Sequence, residues 1–406
     1  MEQRGAVAMS ETCDILISGG GIAGLTAAAT FAARGFSVIC VDPTAPVTAR
    51  EDVGADLRTT AFLQPAKSLL DDAGLWSRLA PHAAPLQIMR IIDAGGEAPE
   101  PRVVREFNAA EISDLPFGWN LPNWLLRREM LGRIGELANA DFRPGVGTSA
   151  LFTRTNEARV TLSDGSRVSC KLVLACDGRA SPMREAAGIN VHTTRYGQKA
   201  LAFAVSHDLP HQNVSTEIHR TGGPFTLVPL PDRDGRPSSA IVWMETSANA
   251  DRLAALDETA FEIDMNTRSC GVLGQLKLAS RRTLWPIISQ RAERLAGERI
   301  ALMAEAAHVV PPIGAQGLNM SLTDLRTLVD LAEARPEGLG DQAMLDAYDK
   351  ARHGDIKLRV SGIDLLNRAS MIEARPLRDL RAGGLNALYS LPQVRKMLMQ
   401  MGLGVR

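Results

Sequence analysis

The chain of 406 residues predicts an α/β fold: a dinucleotide-binding parallel sheet, interrupted by an antiparallel sheet and followed by C-terminal helices. Three observations predict it. The chain opens with an apolar strand, a glycine turn and an alanine-rich helix, its middle switches to short strands with turn signals between them, and a strand, loop and helix return near residue 300.

The opening strand spans 14–18, the turn is Gly19-Gly20-Gly21-Ile22-Ala23-Gly24, the helix covers 25–34, and a second strand, 37–41, ends at Asp42. Gly19 permits the tight turn, Gly21 removes a side chain where a pyrophosphate approaches the backbone, and Gly24 lets the helix pack closely on the sheet. The pyrophosphate then meets free amides, those of Ile22 and Ala23 among them, at a positive helix end. Asp42 stands where a carboxylate accepts a ribose hydroxyl proton and disfavours a 2′-phosphate. In a chain with 35 glycines the glycine spacing alone is a weak signal. The flanking strand, helix and acid make it a strong one.

Residues 43–56 read as a mobile loop. Arg58-Thr59-Thr60-Ala61-Phe62 follows, with Arg58 the first cation placed to face a cofactor, and then a helix over 65–73. A strand at 87–93 and a Pro-rich acidic excursion lead to 117–122, and a helix capped by Asn123 carries Arg127, Arg128 and Leu131. Residues 159–162, the Ser163-Asp164-Gly165 turn and 167–176 form a hairpin that runs into Asp177-Gly178, after which a helix starts. Asp177 ends a buried strand and opens a helix, which favours a functional role over a turn. Strands at 200–206, 215–220, 225–230 and 240–245, with a helix at 257–268, make the antiparallel sheet, and alternation points to Phe203, Phe225 and Val228 as pocket residues. The first framework returns with a strand at 299–303, a loop, and a helix at 319–333. The resulting division assigns 1–80, 123–190 and 286–340 to cofactor binding, 81–122 and 191–285 to the substrate side, and 341–406 to a C-terminal helical segment.

Composition bounds the function. A net charge of −1 gives no field that would draw the chain to nucleic acid. The five cysteines show no C-x-x-C spacing and read as reduced core residues of a cytoplasmic protein. No apolar run approaches the ~20 residues of a membrane span, so the expectation is a soluble or at most peripheral protein. His207, His211 and His219 lie close in sequence without nearby acids or cysteines, and no metal site is expected. Over 351–406 there are 10 Lys and Arg against 4 Asp and Glu, interleaved with Leu385, Leu388, Tyr389, Leu391, Val394, Met397, Leu398 and Met401 in a helix stripe. Such a helix suits an anionic membrane, here the inner face, or packing on its own core or a partner.

Three segments together carry a resemblance: the glycine turn, the central Asp177-Gly178, and Ala304-Glu305-Ala306-Ala307-His308 leading to Pro311-Pro312-Ile313-Gly314-Ala315-Gln316-Gly317-Leu318-Asn319. In order and spacing the chain resembles the flavin-dependent aromatic hydroxylases that have a single Rossmann-like, glutathione-reductase-like FAD-binding domain. Arg58-Thr59-Thr60-Ala61 and Leu366-Asn367-Arg368 look most like the ubiquinone-biosynthesis branch. The resemblance implies FAD at the opening turn, with Asp42 on the adenosine ribose, Arg128 near the pyrophosphate or adenosine, Asp177 near the flavin and the donor's route, and Glu305 on the ribityl chain. It places Pro312, Gly314, Gln316, Gly317, Leu318 and Asn319 along the isoalloxazine ring. Amides opening that last helix would stabilise negative charge on the reduced flavin, with Arg58 adding to the same field. Arg58 and Pro312 are the flavin-side candidates, and no general base is required. One departure stands out: the family's Gly-Asp is Ala304-Glu305 here, and Ala304 is expected to exclude a glycine-only backbone angle. For His308 a flavin-side role and a helix-cap or packing role stay open.

The activity implied is hydroxylation: NAD(P)H, a transient donor, reduces FAD, O2 adds at flavin C4a, and the hydroperoxide passes one oxygen to a polyprenylated phenol of the ubiquinone pathway. The implied partners are that lipid-like phenol and O2, with a ubiquinone-biosynthesis assembly and a membrane surface as further ones. The alternatives are a tailoring hydroxylase for a soluble aromatic, a prenyl-chain reductase, or a non-catalytic FAD-binding scaffold.

Overall fold

The structure is a computed structural model and describes residues 11–96, 98–372, 374, 379, 383 and 389–403. Its opening strand, Glu11–Ser18, lies between Val38–Asp42 and Arg167–Ala175 and pairs in parallel with both. Where the strand is hemmed in on both edges and faces it must be apolar, and Ile15, Leu16 and Ile17 are fully buried, while Glu11 and Thr12 at its start are exposed. Ala140–Pro144 extends the sheet beyond Val38–Asp42, and Ile300–Leu302 extends it beyond Arg167–Ala175, again in parallel. Thr148–Arg154 and Glu157–Leu162 add an antiparallel flap to Arg167–Ala175. The first helix, Ile22–Ala32, packs on the sheet through Leu25, Phe31 and buried alanines, whose small side chains permit close approach.

A nine-stranded sheet is built around Val191–His207, which pairs antiparallel with Arg236–Thr246, Thr283–Ala292 and Leu276–Leu278. Pro224–Arg233 and Val214–His219 continue it, and Ile88–Asp93 and Val103–Asn108 complete the edge. Its two faces do different work. Leu201, Phe203, Phe225, Ile241 and Trp243 pack beneath the helices Ser247–Ala255 and Glu258–Ser269, while Ala200, Met244 and Ile287 join the core of the parallel sheet.

That division corrects the pocket expectation. Phe203 lies 5.1 Å from the Phe261 ring and Phe225 lies 5.4 Å from Trp243, both buried on the outer face, so neither lines a cleft between the sheets. Val228 pairs with Ala240, in step with Val242 and Met244, and so faces the parallel sheet. Alternation located the strands, but with both faces covered it carried no sign of which face looked inward.

A small sheet of Thr59–Leu63, Gly118–Pro122 and Ala84–Leu86 lies beside the two large ones. The next helix, Asn123–Gly135, is capped at Pro122, so Asn123 is its first residue and not its cap. The late helix is Gln316–Ala334, starting three residues before the expected Asn319, and a helix of 29 residues, Gln342–Ser370, follows. In the final helix, Pro392–Leu403, Met399 and Leu403 bury against Leu63 and Phe117, whereas Met397, Leu398 and Met401, and Leu391 just before the helix, are exposed. Of the expected stripe, Leu385 and Leu388 lie outside the described residues. Among the described residues, no helix is long and apolar enough to cross a membrane.

Candidate cofactor and active site

The three glycines of the early turn are glycines for different reasons. Gly19 has φ +103°, and a Cβ there would sit 2.4 Å from the Cys176 carbonyl oxygen. At Gly24 a Cβ would meet the Gly19 carbonyl oxygen at 1.9 Å. Gly21 has φ −69° and ψ 176°, a conformation open to any residue, and a Cβ there would meet no protein atom within 4 Å. The protein demands the first two; nothing in the protein demands the third. Gly21 is also the N-cap of Ile22–Ala32, where no side chain caps the helix and no acid lies in the first turn. The amides of Ile22, Ala23 and Gly24 therefore have no intrahelical acceptor and face the space beside Gly21.

Two carboxylates flank this turn. Asp42 accepts the Gly20 amide at 2.7 Å and the Thr44 amide at 2.8 Å, which locks it at the tip of the second strand beside the turn. Asp177 Oδ2 accepts the Met183 amide at 3.1 Å and the Ser18 hydroxyl at 3.3 Å, and the Asp177 Cα lies 2.9 Å from where a Gly19 Cβ would be. Its Oδ1 is buried without a partner, and burial raises its pKa above the ordinary carboxylate value. An open helix end, an unfilled place at Gly21 and an orphaned acceptor beside them fit a ligand carrying both phosphate oxygens and hydroxyls. FAD is such a ligand. Arg128 is turned to Glu129 Oε1 at 2.9 Å and lies over the Trp124 ring; none of its contacts is with the turn.

The late loop builds a second open helix end. After the short strand His308–Val309, Gly314 and Ala315 take φ values of +62° and +55°, and Gln316–Ala334 begins with no side-chain cap and no acid in its first turn. The amides of Gln316, Gly317 and Leu318 are therefore free of intrahelical acceptors. The side chains of this segment are committed elsewhere. Gln316 donates to the Gly314 and Gly402 carbonyls, each at 3.0 Å, and accepts from Arg359 at 3.1 Å. Asn319 accepts the Leu63 amide at 2.9 Å and donates to the Ala61 and Ala315 carbonyls, so its amide docks a strand rather than a ligand. Pro312 and Leu318 are half-buried.

Between the two ends lies a charged cluster. Arg58 donates to Asp56 through Nε at 2.8 Å and Nη2 at 2.7 Å and lies 5.5 Å from the Trp285 ring. Asn123 donates to the same Asp56 at 3.0 Å. Burial alone would raise the Asp56 pKa, but the hydrogen bond and charge of Arg58 hold it below the ordinary value. Arg58 does not stand free: Asp56 holds it in a bidentate pair and also lies 3.5 Å from Arg127, so two guanidiniums share one carboxylate. Glu305 is half exposed and 3.5 Å from Arg179, the neighbour of Gly178, so the Asp177 and Glu305 segments come together as expected. Ala304 has φ +55°, in the left-handed region that favours glycine but admits an alanine. His308 is buried, and its Nε2 lies 2.6 Å from Asp324 Oδ2.

Asp56, Trp285, Asp324 and Arg352 were missed by the sequence reading. Asp56 had a local signal, since the Arg58 amide bonds back to its carboxylate at 3.2 Å in an Asx-type turn. Asp324 had another: it is an acid on the otherwise apolar stripe of Met320, Leu325 and Leu328.

Comparison with known proteins agrees with this geometry. The family described as FAD binding domain matches residues 12–360. Ubiquinone hydroxylase UbiL of Rhodospirillum rubrum is 32% identical over 97% of this chain and 90% of its own length. The 3-demethoxyubiquinol 3-hydroxylase of Escherichia coli is 25% identical over 98% of this chain and all of its own. Among solved structures, p-nitrophenol 4-monooxygenase PnpA from Pseudomonas putida superposes with a TM-score of 0.78 at 18% identity, covering 98% of this chain and 99% of that one, and so shares the fold.

Proposed function

This chain belongs to the FAD binding domain family, and from that membership we infer that it is an FAD-dependent monooxygenase that hydroxylates the ring of a polyprenylated phenol in ubiquinone biosynthesis. The observation that carries the reading is the pairing of two uncapped helix starts, at Gly21 and Ala315, on one shared core. Each offers open amides to negative charge, one to a pyrophosphate and the other to a reduced ring. When bound, FAD supplies the electron and oxygen chemistry, with NAD(P)H and O2 as co-substrates.

The chain's own residues bind, orient and shield. In this reading the Ile22, Ala23 and Gly24 amides hold the pyrophosphate, Asp42 holds the adenosine ribose, and the unpaired Asp177 oxygen accepts a hydroxyl. Glu305 meets the ribityl chain, Pro312 and the amides of Gln316–Leu318 face the ring, and Arg128 reaches the adenosine only by leaving Glu129. Arg58, fixed by Asp56, forms a wall with Trp285 rather than a catalytic charge. The inward face of the nine-stranded sheet, with Val228, Val242 and Met244, covers the phenol; that sheet takes in Thr283–Ala292 and His308–Val309 as well, so the substrate side runs past the boundary drawn at 285/286. Exposed Leu391, Met397, Leu398 and Met401, beside exposed Lys396, suit a membrane surface that presents a lipid-like phenol; Arg395 is instead paired with Glu111 at 2.6 Å.

Deletion of the gene, followed by mass spectrometry of quinone precursors, tests the reading. The expected result is a prenylated precursor lacking one ring oxygen. Unchanged quinone with no precursor refutes it, and loss of hydrogens rather than oxygen from the product would make the enzyme a reductase. Anionic vesicles should retain the protein at low salt and release it at high salt; equal recovery with and without vesicles removes the membrane surface.

A further inference from the structure

The loop from His308 to Gln316 does little to hold its own shape. Its internal backbone bonding among the described residues is one contact, the Ile313 amide to the Pro311 carbonyl at 2.7 Å, and two successive residues, Gly314 and Ala315, are left-handed. Yet its two ends are joined by one continuous chain of charged contacts. Asp324 is paired with Arg352, and His308 Nε2 lies 2.6 Å from its Oδ2. Arg352 donates to Asp324 Oδ1 at 2.7 Å and to Asp355 at 2.8 Å. Arg359 donates to Asp355 at 3.1 Å and to Gln316 Oε1 at 3.1 Å. Asp324 lies on the helix Gln316–Ala334, while Arg352, Asp355 and Arg359 share one face of Gln342–Ser370.

Stability does not explain this arrangement. Asp324 is fully buried and Arg352 nearly so, and taking such charges out of water costs about as much as their attraction returns. Apolar side chains would join the two helices equally well. What directional contacts provide, and apolar ones do not, is a fixed register between the ends of the loop.

We propose that His308, Asp324, Arg352, Asp355, Arg359 and Gln316 form a positioning network that sets the conformation of the 309–315 loop, and with it the placement of the open Gln316–Leu318 amides against the flavin. The inference rests on the reading that this loop faces FAD. None of the six is a catalytic residue in it.

The outer links test it, because Arg359 and Gln316 are half-buried and tolerate substitution better than Asp324. Arg359→Leu, Gln316→Leu, their double variant and Arg359→Lys are titrated with FAD by flavin fluorescence, and the visible spectrum and midpoint potential of the bound flavin are recorded. Each Leu variant should weaken FAD binding about tenfold, the low end of one hydrogen bond to a charged group, and shift the potential. The double variant should be no weaker than the worse single, since both cut one chain, and Arg359→Lys should restore most of the loss. Folded Leu variants that bind FAD as the wild type does, with an unshifted spectrum and potential, overturn the proposal while leaving the FAD reading intact. A wild type that takes up no FAD overturns the reading on which it rests.

Discussion

Substituting Gly21 separates what the protein needs from what its ligand needs. At Gly21→Ala the new methyl meets no protein atom within 4 Å, and the backbone conformation suits alanine. Restricting the unfolded chain favours the variant by about 0.4–1 kcal/mol. Alanine is a poorer N-cap than glycine by about 0.5–1 kcal/mol. The two nearly cancel, and the apo variant should melt within about 2–3 °C of the wild type. Binding is different. The methyl occupies the approach to the Ile22 and Ala23 amides, and each amide bond to an ionised oxygen is worth about 1.5–3 kcal/mol. Losing two costs about 3–6 kcal/mol, or roughly 10² to 10⁴ in FAD affinity. Gly24→Ala is the contrast, because its Cβ would lie 1.9 Å from the Gly19 carbonyl oxygen and must push backbone, so it should unfold at lower temperature even without FAD. Thermal denaturation of the apo proteins and fluorescence titration with FAD measure the two effects separately. An apo Gly21→Ala as unstable as Gly24→Ala, or one that binds FAD as tightly as the wild type, would refute the reasoning.

Three further outcomes are expected. Ala304→Gly removes a left-handed alanine, a conformation costing about 1–2 kcal/mol, against about 0.5–1 kcal/mol of added unfolded-state entropy, so calorimetry should show a gain of roughly 0.5–1 kcal/mol; a lower melting temperature contradicts it. The raised pKa of Asp177 means that the folded state binds its proton more tightly than the unfolded chain does, so the contribution of this group to stability falls as pH rises from about 4 through the raised value. Asp177→Asn should lack that decline, and parallel curves of melting temperature against pH for the two proteins would dismiss it. Phe203→Ala should cost about 3–5 kcal/mol of stability because the ring is a core residue against Phe261, whereas Val228→Ala should mainly alter KM for the phenol. Denaturant unfolding of both variants decides the assignment, and a Phe203→Ala that unfolds with the wild type shows the faces to be reversed.

What was legible in the sequence, and what was not, follows the range of the forces involved. The glycine turn, Asp42 and Asp177 were legible because each sits at the end of a strand whose place in a parallel sheet is dictated by its own apolar run. The inward face of the second sheet was not, since Ala200 and Leu201 are both fully buried and neither parity reads as solvent. The left-handed angle at Ala304 leaves no mark on an alanine in the sequence; it is imposed by neighbours, among them the Ala307 amide that bonds back to the Ala304 carbonyl at 3.0 Å. The network from His308 to Gln316 had to be missed, because its partners are 16, 28 and 43 residues apart and meet only after two helices have packed. Gly21 lies outside this ordering. Gly19 and Gly24 are explained by protein atoms within 3 Å, and once those reasons are subtracted Gly21 has none left inside the molecule. A glycine that the fold does not require, at an uncapped helix start, therefore leaves room for a ligand there, and it does so from the chain's own geometry.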